Sequence, residues 1–99
     1  MKLLIINQWL HHKNLEGLRK MIEYTEHSMG QKFYYKMGDV NDLTTTSWDV
    51  VYSPAITINT NDYPKTFFIF GPHFSVFPTE KLRFINNRRR NCVYVQPSV

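Results

Sequence analysis

The run Phe67–Phe70, followed by Gly71 and Pro72, constrains the fold more than any other part of this chain. Four successive apolar residues leave no polar face, so the run predicts a strand covered on both sides, as in a parallel sheet. Glycine and proline then end the strand abruptly. In open α/β sheets, ligands bind beyond the carboxyl ends of the strands. The loop of residues 71–78, which carries His73 and Ser75, is therefore the first candidate for a functional site.

The rest of the chain supplies the other elements of such a sheet. A helix over residues 14–29 is predicted, with Asn14 as the N-cap, because apolar residues recur there at helical spacing and Gly30 follows as a C-terminal glycine. A second, short helix is predicted over residues 79–86, capped by Thr79. Strands are predicted over residues 2–7, 32–37, 48–53, 66–70 and 92–96.

This order of elements predicts the α/β class, with an open, mainly parallel, five-stranded Rossmann-like sheet and few helices. The 99 residues suffice for one domain, near the small end of what buries a core unaided. The last predicted strand is followed at once by residues 97–99, where a further helix would normally cover the sheet. We therefore expect a single but incomplete domain over residues 1–99.

Composition narrows the class of protein. The sequence has no apolar stretch of about 18 residues, so no membrane span is predicted. The apolar run at residues 3–6 is too short for a signal peptide and has no small-residue cleavage site, which favours an interior strand. The single cysteine, Cys92, lies in an apolar run and predicts a buried thiol in a reducing compartment. The expected location is the cytoplasm.

The net charge of +4 comes entirely from residues 80–99, which hold five basic side chains and one acidic one. Arg88, Arg89 and Arg90 are the weak candidates for an anion site, but adjacent arginines in a turn are more often a solvated corner. The aromatic residues fall mainly in apolar runs, which favours a core role over stacking on nucleic acid. Nucleic-acid binding through the three arginines is therefore the least favoured hypothesis.

Other candidate residues follow the first strand, where Trp9, His11 and His12 occur. Adjacent histidine side chains point apart, and no cysteine or acidic partner stands nearby at ligand spacing, so no metal site is predicted. The favoured role is that one of the two histidines lines a cleft as a hydrogen-bond donor or a base. Neither G-x-G-x-x-G nor G-x-x-x-x-G-K occurs, so the sequence predicts no dinucleotide or nucleoside triphosphate site and no cofactor.

His73 and Ser75 would point the same way in an extended loop. Serine catalysis requires an orienting acid and an oxyanion hole, and its nucleophile elbow has the pattern G-x-S-x-G, none of which the sequence displays. A rigid loop that presents two polar groups to a ligand, or a purely structural turn, accounts for the pair equally well. The catalytic residues, if any, stay unknown.

Three segments occur in a consistent order and carry a resemblance to a known family. They are Trp-Asp-Val-Val-Tyr-Ser-Pro at residues 48–54, Phe-Gly-Pro-His-Phe-Ser-Val-Phe-Pro at 70–78 and Val-Tyr-Val-Gln-Pro-Ser at 93–98. Together they resemble the amino-terminal half of a GT-B glycosyltransferase domain of the group-1, retaining type, particularly the viral-type members. The resemblance spans nearly the whole chain, and the loop at 71–78 is its most distinctive motif.

The resemblance implies an acceptor-side cleft with two walls. Trp9 could stack on a sugar ring while His11 or His12 binds an acceptor hydroxyl, and Gly71, His73 and Ser75 would form the facing wall. In the family, a second Rossmann-like domain holds the nucleotide sugar, and these 99 residues contain no such domain. We therefore expect a truncated, glycosyltransferase-like chain that is inactive alone, with a glycan acceptor and a complementing chain as possible partners.

A hypothesis of another class is a small α/β protein-binding module. A sheet that lacks its closing helix should expose an apolar edge or face, and exposed apolar patches favour association with another protein or with a second copy.

Overall fold

The structure is a computed structural model, and it describes residues 1–6, 15–54, 58–71, 82–87 and 91–97. Within these ranges the chain forms a six-stranded sheet in the order β2-β1-β3-β4-β6-β5. The bounds are β1 Lys2–Ile6, α1 Leu15–Met29, β2 Tyr34–Gly38, β3 Val50–Ser53, β4 Phe67–Phe70, β5 Leu82–Asn87 and β6 Cys92–Pro97, with 3-10 helices at Val40–Thr44 and Thr60–Asp62.

The predicted fold class is confirmed. Strands β1, β2, β3, β4 and β6 pair in parallel, and in the described ranges a single α-helix and two 3-10 turns accompany them. These five strands are the five that the sequence pattern predicts. They form an open α/β sheet of the Rossmann-like kind.

The short helix predicted over residues 79–86 is wrong. Residues 82–87 form the edge strand β5, which pairs antiparallel with β6 in a register that places Phe84 opposite Val95 and Ile85 opposite Tyr94. The sheet therefore has a sixth strand where the sequence pattern indicates a helix. Backbone pairing with β6 supplies hydrogen bonds that outweigh the modest preference of such a short segment for helix.

Helix α1 matches its prediction closely. Arg19 donates to Glu23 one turn on, at 2.7 Å, and Ile22 and Met29 pack against the core of the sheet. Gly30 ends the helix with a φ of 68°, a left-handed conformation that glycine adopts without steric cost. The predicted N-cap, Asn14, lies outside the described residues.

The core has two layers, one on each face of the sheet, because neighbouring residues of a strand point to opposite faces. On the face that α1 covers, the fully buried residues include Leu3, Ile5, Val50 and Tyr52. The other face is closed by the segment between β2 and β3, which contributes Leu43 and Trp48. These two side chains form one buried cluster with Leu4, Ile6, Val51, Phe68 and Cys92. Cys92 is buried, as predicted.

Within the described ranges, the only α-helix is too short and too polar to cross a bilayer.

Candidate functional site

The order of the strands reverses next to β1. The chain passes from β1 through α1 to β2 on one side, and then crosses to β3 on the other side of β1. Ile5 is paired with Tyr52, so the carboxyl ends of β1 and β3 lie side by side at Ile6 and Ser53. Such a reversal of strand order marks the carboxyl edge of the sheet at β1 and β3 as the usual position of a ligand in this architecture.

The predicted site residues are placed only in part. Trp9, His11 and His12 belong to the segment after β1, and His73 and Ser75 to the segment after β4. All five lie outside the described residues, as do Arg88, Arg89 and Arg90, which connect β5 to β6. The structure places Gly71 and the strand ends from which these segments start.

Gly71 is the first residue after β4, and its backbone is held in a conformation that favours glycine. Its φ is 38°, and its N–H donates to the carbonyl oxygen of Ser53 at 3.2 Å. This bond continues the ladder between β3 and β4 by one residue before the chain turns. A Cβ at Gly71 would lie 3.5 Å from the Pro54 carbonyl oxygen, so space is adequate and the backbone angle is the constraint. The sharp break predicted after Phe70 is confirmed here.

A row of aromatic rings runs from the middle of the sheet towards this edge. Phe68 stacks on Phe70 with ring centroids 5.8 Å apart, and Phe70 packs against Tyr94 at 5.6 Å. Phe68 is buried, Phe70 is half-buried and Tyr94 keeps 38% of its surface exposed. The row therefore emerges into solvent beside the carboxyl end of β4. Phe70 and Tyr94 are absent from the predicted site because the contact between their rings depends on the register between β4 and β6.

The carboxylates after β2 are committed to the backbone. Asp39 accepts from the N–H of Asn41, and Asp42 accepts from the N–H of Asp39 and from the Lys36 ammonium, at 3.0 and 2.9 Å. The hydrogen bond from Asp39, followed by the one from Lys36, lowers the pKa of Asp42. In the described part of the chain, no three histidine, cysteine or acidic side chains cluster as a metal site would require.

The amino edge of the sheet is also occupied by structural hydrogen bonds. Asp49, next to β3, accepts from the backbone N–H of Lys2 at 2.7 Å. The Thr66 hydroxyl donates to the Trp48 carbonyl, and the Asn91 amide donates to the carbonyls of Thr60, Tyr63 and Thr66. These polar groups fix connections between strands, so they are not available to a ligand.

Two of the open grooves among the described residues lie towards the amino edge. One, of about 530 Å³, runs between Trp48 and Tyr63, and the other, of about 360 Å³, lies between the end of α1 and Lys32. Neither contains a predicted site residue. The carboxyl edge is therefore favoured by the topology and by Gly71 rather than by the size of a cavity.

Comparison with protein-family models, curated proteins and solved structures finds no match to this chain. The resemblance to GT-B glycosyltransferases thus rests on the three segments of sequence that carry it.

Proposed function

We propose that this chain provides the acceptor-binding half of a glycosyl-transfer site of the retaining GT-B type. The acceptor sugar binds at the carboxyl edge of the sheet, between the segments that follow β1 and β4. The nucleotide sugar is held by a second Rossmann-like domain, in another chain or elsewhere in the same protein. One observation supports the proposal: Ile6, at the end of β1, lies next to Ser53 at the end of β3, and the Ser53 carbonyl accepts from the N–H of Gly71.

The chemistry of the residues suits a neutral, hydroxyl-rich ligand. An indole ring offers a broad apolar surface, and a neutral imidazole has one hydrogen-bond donor and one acceptor, which match a sugar hydroxyl. The exposed side of Tyr94 adds an aromatic surface with a polar tip beside the end of β4. The sequence lacks a glycine-rich phosphate loop, so a nucleotide sugar alone has no evident cradle in this chain.

Backbone amides at the carboxyl edge and at the amino edge of the sheet serve as internal reporters for a binding experiment. In an NMR titration with a panel of oligosaccharides, the backbone amides of Ser53 and Gly71 at the carboxyl edge should shift. Those of Asp49 and Asn91 at the amino edge should stay in place. Nucleotide sugars added alone should shift neither set, and the isolated chain should neither transfer nor hydrolyse them. A panel that perturbs only the amino edge would contradict the proposed position of the site.

The substitution Gly71→Ala tests the link between the turn and binding. Alanine at a φ of 38° is strained, so the segment that follows β4 should be redirected and saccharide affinity should fall several-fold. Gly30→Ala is the matched control, because Gly30 has a φ of 68° and lies at the end of α1, near the amino edge. Both variants should lose about 1 kcal/mol of unfolding free energy. Only Gly71→Ala should weaken binding, and equal binding by the two variants would remove Gly71 from the site.

A further inference from the structure

Strand β2 is an edge of the sheet, and its outer side has no partner among the described strands. It carries the two most exposed large hydrophobic side chains of the described residues, Tyr34 at 81% and Tyr35 at 60%. Edge strands with accessible backbone groups are templates for pairing with another chain. We propose that β2 pairs antiparallel with β2 of a second copy of this chain, so that two sheets join into one across a twofold axis at Tyr35.

The backbone groups that would form this pairing can be assigned from the ladder. The N–H of Tyr34 donates to the Met1 carbonyl, so Tyr34 and Lys36 direct their backbone groups towards β1. Successive residues of a strand alternate, so the N–H and C=O groups of Phe33, Tyr35 and Met37 face outward. The Phe33 N–H is already taken by the Glu26 carboxylate at 3.2 Å. Beyond β2, the Asp39 N–H is taken by Asp42 at 3.0 Å.

The outward N–H groups of Tyr35 and Met37 therefore have no acceptor among the described residues. A twofold axis at Tyr35 pairs each with an outward carbonyl of the second copy. Tyr35 exchanges two hydrogen bonds with its own counterpart, and each Met37 N–H donates to the opposite Phe33 carbonyl. Four hydrogen bonds result, two between the copies of Tyr35 and one from each Met37 N–H.

Side-chain chemistry selects the same register. With the axis at Tyr35, each Tyr34 lies across from the Lys36 of the second copy, where an ammonium can contact an aromatic ring, and Phe33 lies across from Met37. Moving the axis by one residue to Lys36 sets the two Lys36 ammonium groups opposite each other. Moving it to Tyr34 sets Lys32 opposite Lys36. Like charges directly opposite each other destabilise a strand pair, so both alternatives are disfavoured.

The usual protection of an edge strand is weak at β2. The one charged residue within the strand, Lys36, is held by Asp42 at 2.9 Å, so its charge is partly compensated. The strand contains no proline. Because the partner edge is identical and the pairing closes on a twofold axis, a dimer forms rather than an open fibre.

In this register the Tyr35 residues of the two copies lie directly opposite each other, which gives a test that is specific for the register. The chain should sediment as a concentration-dependent dimer. Tyr35→Lys and Tyr35→Glu should each raise the dimer dissociation constant at least about tenfold, because each sets two like charges opposite one another. Mixed in equal amounts, the two variants should form a heterodimer, which native mass spectrometry resolves by mass. Lys65→Glu, on an exposed residue near the amino edge, is the charge control and should leave dimerisation unchanged.

Circular dichroism of each variant verifies that the fold is retained. The backbone groups of Tyr35 point away from β1 and have no partner among the described residues, so both variants should have the wild-type spectrum. A wild-type chain that stays monomeric at high concentration would overturn the proposal. A dimer that persists in both variants, or variants that fail to form a heterodimer, would also overturn it.

Discussion

Asn91 shows how one side chain can organise a distant part of this chain. Its amide nitrogen contacts the carbonyl oxygens of Thr60, Tyr63 and Thr66, which precede it by 31, 28 and 25 residues. An amide has only two N–H hydrogens, so the three carbonyls share them. The connection between β3 and β4 is thereby fixed to the start of β6.

We expect Asn91→Asp to lower the free energy of unfolding by about 2 kcal/mol at neutral pH. The change replaces two donors with a carboxylate that faces three carbonyl oxygens. These oxygens raise the folded-state pKa of the new carboxyl above its unfolded value of about 3.9. The protonated acid can donate one hydrogen bond, so the loss should be small below about pH 4 and should grow as the pH rises through the folded pKa.

Urea denaturation at pH 3.5 and pH 7 measures this difference. Asn61→Asp is the control. Asn61 is exposed in the 3-10 helix Thr60–Asp62, so this substitution introduces the same charge nearby. A variant Asn91→Asp as stable as Asn61→Asp at pH 7 would show that the amide does not support the connection.

Single residues whose role depends on the local backbone could be predicted from the sequence. Gly30 and Gly71 both follow a regular element, and both adopt a positive φ. The role of Asp49 as a backbone acceptor beside β3 could also be predicted, because an acidic residue next to a strand finds backbone donors there. Asn91 gives no such signal, since its partners are brought to it only by the pairing of β4 with β6.

At the scale of elements, the 3-10 helix Val40–Thr44 depends on one carboxylate. Asp42 accepts from the N–H of Asp39 to close a capping box, and its second oxygen accepts from Lys36 of β2. A Cβ at Gly38 would collide with this carboxylate, so the end of β2 requires glycine for the contact. The helix in turn places Leu43 against the buried face of the sheet.

We predict that Asp42→Asn makes stability less sensitive to acid. The folded-state pKa of Asp42 is lowered from 3.8 by the hydrogen bonds from Asp39 and Lys36, so the folded protein binds this proton less readily than the unfolded chain. The stabilisation is complete above the unfolded pKa and is lost as the pH falls through the folded pKa. The variant should be less stable at pH 7, and its urea midpoint should decrease less between pH 5 and pH 2. Asp62→Asn, on an exposed carboxylate, should retain the wild-type dependence.

Strand β5 shows where prediction of elements from sequence fails. Leu82 and Ile85 are three residues apart, as on one side of a helix, but Leu82 and Phe84 are two apart, as on one face of a strand. Six residues are too few for either period to prevail. The pairing of Arg83 with Gln96 and of Ile85 with Tyr94 decides the outcome, and this pairing is a tertiary interaction. The longer helix α1 and the four apolar strands have patterns strong enough to specify their type alone.

At the scale of the whole molecule, the candidate site depends on how the sheet is assembled. Sequence reasoning placed candidate residues after the first and fourth parallel strands, which is a statement about order along the chain. The separation of these two strand ends follows only from the spatial order β2-β1-β3-β4, in which one strand separates β1 from β4. Loops after parallel strands meet at one edge for any such order. Which loops become neighbours is set by crossovers that no local pattern encodes.

The same sheet predicts an alternating pattern of amide hydrogen exchange at its β5 edge. The N–H of Phe68 donates to the Asn91 carbonyl, so Asn91, Val93 and Val95 direct their backbone groups to β4, while Cys92, Tyr94 and Gln96 direct theirs to β5. The register then gives hydrogen bonds to Arg83, Ile85 and Asn87. The amides of these three residues should exchange slowly, and those of Leu82, Phe84 and Asn86 should exchange rapidly.

Exchange measured by NMR distinguishes this edge strand from the alternative of a helix. A helix would protect successive amides beyond its first turn, as expected for α1 in the same sample, whereas an edge strand protects every second one. The β2 edge offers a second comparison, with Tyr34 slow and Tyr35 fast in dilute solution. Uniform protection over residues 82–87 would contradict the antiparallel pairing of β5 with β6. Protection at Tyr35 that rises with protein concentration would in turn connect the β2 edge to dimer formation, because no described residue of the same copy supplies an acceptor for this amide.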